Sequence, residues 1–188
     1  MNAIARTALL GLLTLGIAAS LAPAVEKPSP AGEVKLVPVK YDAMLARIAA
    51  NKEAKLTIVD AWATWCGPCK DNFPHVVKMH EKYAEKGLVV ISLSLDDPTS
   101  KKDVTEATKF LESQKAVFTN LLLDETQDDA FEKLDLTAIP AVFLYGPDGK
   151  EIRRFNLEDV NNQFTYDQVE QAVKDYLEGK PITGGSVK

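Results

Sequence analysis

The chain reads as an α/β protein, a central mixed β-sheet with helices on both faces. Two observations carry this. Short apolar runs rich in β-branched residues alternate with segments of helical period, and the order ends in a hairpin followed by one more helix. The 188 residues, 46% hydrophobic and 26% charged, suffice for one domain with a sizeable core plus an extension.

Taken in order, residues 7–25, "TALLGLLTLGIAASLAPAV", carry no charge and follow Arg6. With Ala22-Pro23-Ala24 at their end they read as a signal peptide over residues 1–24, cleaved after Ala24. The run is also about long enough to remain as a membrane anchor. Export to the periplasm or beyond is expected either way, and no cysteine near its end could carry a lipid. Residues 25–37, rich in Pro, Lys and Glu, are expected to be a linker, with 34–39 able to form an edge strand. The domain is placed at 38–180 and a flexible, Gly-rich tail at 181–188.

Within the domain, Met44, Leu45 and Ile48 predict a helix over 41–50, and "LTIVDAW" (56–62) a buried strand. A helix follows over 66–86, its apolar side made by Phe73, Val76, Val77, Met79 and Tyr83 and its end set by Gly87. "LVVISLSL" (88–95) is a strand ended by Asp96-Asp97-Pro98. A helix over 100–113, a strand over 118–124 and a short helix over 126–134 come next. "PAVFLYG" and "EIRRFN" are strands joined by the turn Gly146-Pro147-Asp148-Gly149-Lys150, and 165–177 closes as a helix. No internal repeat is evident.

The formal net charge is −5 and the basic residues are scattered, which argues against nucleic acid as a partner. The two cysteines stand together in "ATWCGPCK" (63–70). A Cys-x-x-Cys loop is too short to constrain much chain entropy, so a structural staple is disfavoured. A thiolate is the species that attacks a disulfide, and a helix N-terminus favours that anion at Cys66. Pro68 suits the first helical turn. Gly67 is expected to turn the chain tightly and leave Cys66 open to a partner. Cys69 lies one turn further in, covered yet within reach of Cys66, as the resolution of a mixed disulfide requires. Cys66 is therefore the candidate nucleophile and Cys69 the resolving thiol.

Asp60 interrupts an apolar strand. Burial should raise its pKa and let it take a proton from Cys69 and return it later. Pro74, inside a predicted helix, should bend that helix.

"VDAWATWCGPCK", then Pro74, then "TAIPAVFLYGPDGK" together resemble the thioredoxin superfamily over about residues 55–178. The resemblance implies the thioredoxin fold, a cis Ile139-Pro140 bond facing the cysteines, and an Ile139 backbone that pairs with an extended substrate. Trp65 would shape the adjoining surface and Pro140 would keep a competing donor out of the cleft. The extra "VFTNLLLDETQDDAFEKLDL" (117–136) implies a strand and helix inserted before the cis-proline strand. Together with the export signal, it makes the chain similar to the TlpA-like and ResA-like extracytoplasmic thiol–disulfide oxidoreductases. Two positions depart from expectation. Gly67 stands where that branch often has a second proline, and Ser92 where thioredoxin has a lysine near its buried aspartate.

The implied function is reduction of protein disulfides, with electrons drawn from a membrane donor. No cofactor is expected beyond the redox-active Cys66–Cys69 pair. A zinc site lacks ligands, because His75 and His80 are five residues apart, and covalent haem would need a histidine where Lys70 stands. Two alternatives stay open. One is a peroxiredoxin-like thiol peroxidase, for which Thr64 sits two residues before Cys66 rather than three. The other is a redox-linked module that binds extended polypeptides.

Overall fold

The computed structural model describes residues 32–158 and 163–187. The expected signal peptide and residues 25–31 of the expected linker lie outside the described residues. Six strands form one mixed sheet: β1 (Leu36–Val39), β2 (Leu56–Trp62), β3 (Leu88–Ser94), β4 (Thr119–Leu123), β5 (Ala141–Tyr145) and β6 (Glu151–Phe155), in the order β1-β4-β3-β2-β5-β6. The pairs from β1 through β2 are parallel, while β5 is antiparallel to both β2 and β6.

β2 sits centrally and is buried along its whole length, as its near-continuous apolar run requires. Its alternating side chains serve both faces. Val59 and Ala61 join a cluster with Met44 and Ile48 of α1 (Tyr41–Ala50) and Ala130 and Leu134 of α4 (Gln127–Leu134). Leu56 and Ile58 face Val76 and Met79 of α2 (Gly67–Tyr83) and Val169 and Val173 of α5 (Tyr166–Leu177). The remaining helix, α3 (Lys101–Ser113), brings Phe110 against Trp62 and Phe73, with centroids 4.9 and 5.1 Å apart.

Three helices begin where the sequence offers a hydroxyl. Ser100, Thr126 and Thr165 each accept a backbone N–H three residues on. The helix expected over 66–86 ends at Tyr83 and continues as a 3-10 turn, Ala84–Lys86. It runs through Pro74 without a break. The hairpin turn closes with Gly149 at φ 77°, where a Cβ would stand 2.6 Å from Ala49.

β1 is the edge strand expected within 34–39; it begins at Leu36, so the last two residues of the segment read as linker pair with β4. The tail past residue 180 folds back onto β6, where Ser186 and Arg154 exchange both backbone hydrogen bonds at 2.8 and 2.9 Å. Ser186 thereby occupies part of a strand edge that would otherwise be open.

Candidate active site

β2 runs into α2 through residues 63–66, and Cys66 is the N-cap of α2. Its backbone is extended, and its sulfur accepts the Cys69 N–H at 3.2 Å. Pro68 stands in the first turn, which holds no acidic side chain. Cys66 and Cys69 are joined as a disulfide, with Cα atoms 5.3 Å apart. Cys66 keeps 5% of its surface exposed and Cys69 none, so the two differ in access.

Gly67 is the first residue of α2 and does not have a positive φ. The tight-turn role expected for it is therefore not the one it plays. A Cβ there meets nothing within 4 Å, so the residue leaves open space beside Cys66.

The Ile139-Pro140 bond is cis, and the Ile139 carbonyl oxygen lies 3.7 Å from Cys66 Sγ. Trp65, 54% exposed, forms one wall of a groove of about 400 Å³ whose other walls include Phe131, Gln127 and Ile139. The inserted α4 thus reaches the neighbourhood of Cys66.

Asp60 is 1% exposed on the α2/α5 face of β2. Burial pushes its carboxyl up to about 7, against the opposing effect of a 2.6 Å hydrogen bond donated by the Tyr166 hydroxyl to Oδ1. Ser92 is its register partner on β3, but the Ser92 hydroxyl donates to Asn120 Oδ1 at 2.8 Å.

The structure therefore brings Cys66, Cys69, Trp65, Ile139 and Pro140 to one end of the sheet, with Gly67 and Pro68 opening the helix beside them. Asp60 lies deeper on the same central strand. Sequence reasoning missed two residues. Tyr166 carried a usable signal, since it lies on the inward stripe of α5 with Val169 and Val173, and a buried tyrosine hydroxyl usually has a partner. Asp96 read only as a strand terminator. In the fold it accepts the Thr64 N–H at 3.0 and 3.1 Å, the Thr64 hydroxyl at 2.5 Å and the Ser94 hydroxyl at 2.8 Å. The histidines lie apart from one another in role. His75 is beside Asp167 at 3.9 Å, and His80 packs on Phe118 with centroids 5.2 Å apart. Among the described residues no group of three or more His, Cys, Asp or Glu side chains could hold a metal ion.

A paired Cys-x-x-Cys at a helix N-terminus, facing a cis-proline loop on a mixed sheet, defines a thioredoxin-like domain. Residues 30–154 match the AhpC/TSA family model, and the chain belongs to that family. It is similar to the thiol-disulfide oxidoreductase ResA of Bacillus subtilis, 26% identical over 104 residues, covering 55% of this chain and 54% of the relative. A Coprinus comatus thioredoxin is 38% identical over 59 residues, 31% of this chain and 53% of the relative. The chain thus spans about half the length of these curated relatives. Among solved structures, the thioredoxin domain of a thiol-disulfide oxidoreductase from Bacteroides vulgatus superposes with TM-score 0.52 at 22% identity, covering 68% of this chain and 82% of that one, which bears on the fold. A Chlorobium tepidum protein, provisionally assigned as the thiol:disulfide interchange protein DsbE, gives TM-score 0.52 at 26% identity, over 69% and 82% of the two chains.

Proposed function

We propose that this protein is an exported thiol–disulfide oxidoreductase that reduces protein disulfides through Cys66 and Cys69. The observation that carries the reading is the unequal cysteine pair, with Cys66 capping α2 beside the Ile139 carbonyl and Cys69 fully buried behind it. Cys66 thiolate attacks one sulfur of a substrate disulfide, and the other substrate sulfur leaves as thiolate. Cys69 gives its proton to Asp60 and attacks Cys66 Sγ. The second substrate sulfur leaves, so two electrons pass to the substrate and the Cys66–Cys69 bond forms. Trp65, Gly67 and Pro68 border the approach, and the Ile139 backbone next to Pro140 pairs with the extended substrate.

The reaction runs in the reducing direction, resupplied by a membrane electron donor. Residues 1–24 direct export, whether cleaved or kept as a tether. No helix among the described residues is long and apolar enough to cross a membrane. The electrons reside in the cysteines, so no further cofactor is invoked.

The AhpC/TSA match keeps the thiol peroxidase in view. That chemistry asks for a hydroxyl at the sulfur, whereas the Thr64 hydroxyl is donated to Asp96 and Cys66 is bonded to Cys69. Disulfide exchange is the better fit.

A Cys69→Ala variant should accumulate mixed disulfides with its substrates through Cys66, seen as thiol-sensitive adducts on non-reducing gels. No adduct would sink the reductase reading. A Cys66→Ser variant that still reduces a model protein disulfide at the wild-type rate would leave only the polypeptide-binding module.

A further inference from the structure

The hydrogen bond that the Asp60 carboxyl accepts bears on how its proton could move, and it comes from α5 rather than from the sheet. Tyr166 is 3% exposed, and its hydroxyl donates to Asp60 Oδ1 at 2.6 Å. Among the described residues Asp60 Oδ2 is buried with no hydrogen-bond partner. On β3, Ser92 is turned to Asn120, and on β5 the register partner is Val142, which has no polar side chain. Ionisable groups on the helices flanking the pair include Cys69 and His75 on α2 and the exposed Asp167, which follows Tyr166 on α5. The His75 ring stands 6.0 Å from the Tyr166 ring, and Asp167 lies beside His75.

We infer that Tyr166 is a positioning residue for the proton acceptor: it occupies Oδ1, so Oδ2 is the oxygen that takes the Cys69 proton and gives it back. This rests on the disulfide-exchange reading above. Burial and the Asp60 charge hold the Tyr166 phenol well above its usual range, so it keeps its proton and can only donate to the carboxylate. When Asp60 is neutral, its own proton must then sit on Oδ2. The Cys69 S–H bond breaks as the Oδ2–H bond forms. The departing substrate thiolate is the base that later recovers the proton, so charge and atoms balance over one turnover. Tyr166 thus does in neutral form, from α5, part of what an ammonium at position 92 would do from β3.

The test is Tyr166→Phe, which keeps the ring packed against Phe164 at 5.6 Å and removes only the hydroxyl. The lost hydrogen bond had favoured the carboxylate, so the Asp60 midpoint should rise by about one pH unit. Two readings follow it. The carboxyl carbon-13 shift of Asp60, titrated in the oxidised protein without substrate, should show the higher midpoint. The acid limb of disulfide reduction should move up equally, lowering the rate about fivefold near pH 7 and leaving it unchanged near pH 9. A purely structural role would lower the rate evenly at all pH values. An unmoved carboxyl midpoint overturns the inference, as does an even loss. Absence of mixed disulfides with Cys69→Ala would instead overturn the proposed function, and the carboxyl titration would still decide whether Tyr166 governs Asp60.

Discussion

Asp96 fixes the approach to Cys66 through Thr64, two residues before the sulfur. The carboxylate is 2% exposed and gathers three donors: the Thr64 N–H, the Thr64 hydroxyl and the Ser94 hydroxyl. Hydrogen bonds to a charged acceptor are the stronger kind, and donors left unmatched in a buried site carry their full desolvation cost. Asp96→Ala should therefore lose about 2 kcal/mol of stability in denaturant unfolding. An unchanged midpoint would show that this clamp contributes nothing. The residues of the candidate site divide along these lines in how far the sequence reveals them. Cys66, Cys69 and Asp60 stand out because each breaks a local pattern, as thiols at a helix start or an acid in an apolar strand. The stripe of α5 marks Tyr166 as buried, but its partner lies 106 residues away and that of Asp96 lies 32 away, and local pattern carries no information about either pairing.

Elements were legible wherever burial imposed a period. β2 and α1 coincide with their sequence-predicted spans, because one is buried on all sides and the other shows one apolar stripe. The position of β4 was not legible. It lies between β1 and β3 rather than at an edge, a choice made by packing and by parallel pairing on both its sides. α5 shows how an element's end can matter to the site. Thr165 and Gln168 form a reciprocal capping box, the Gln168 side chain accepting the Thr165 N–H at 2.9 Å and the Thr165 hydroxyl accepting the Gln168 N–H at 3.4 Å. The next residue is Tyr166, so the cap holds the turn that presents the phenol to Asp60. Thr165→Ala should cost about 1 kcal/mol in unfolding free energy. It should also raise amide exchange in the first turn of α5 above that of β2. Equal protection in the mutant and wild type would show that the turn is held by core packing alone.

For the whole molecule, the buried carboxylate makes stability depend on pH in a direction opposite to that of a salt-bridged acid. Asp60 titrates near the ordinary aspartate value of 3.8 in the unfolded chain and at about 7 in the fold, with burial as the main cause. Between those values the folded protein holds a proton that the unfolded chain has released. The native state therefore binds more protons, and stability falls as pH rises across the window. Below the lower value both states are protonated and the group contributes nothing. Above the upper value both are ionised, and the fold carries the whole cost of a desolvated charge, about 4 kcal/mol at 1.36 kcal/mol per unit. Asp60→Asn retains an acceptor for the Tyr166 hydroxyl and cannot ionise. Its unfolding free energy, followed by denaturant titration from pH 4 to pH 8 on the oxidised protein, should gain on the wild type steadily, with most of the gap opened by pH 7. Comparing the two curves removes every other titrating group, since those are common to both. Any constant offset from swapping oxygen for nitrogen drops out as well. Curves that stay parallel across the window would mean that Asp60 is ionised at no cost in the fold, and a carboxyl so placed could not serve as the acceptor for the Cys69 proton near neutral pH.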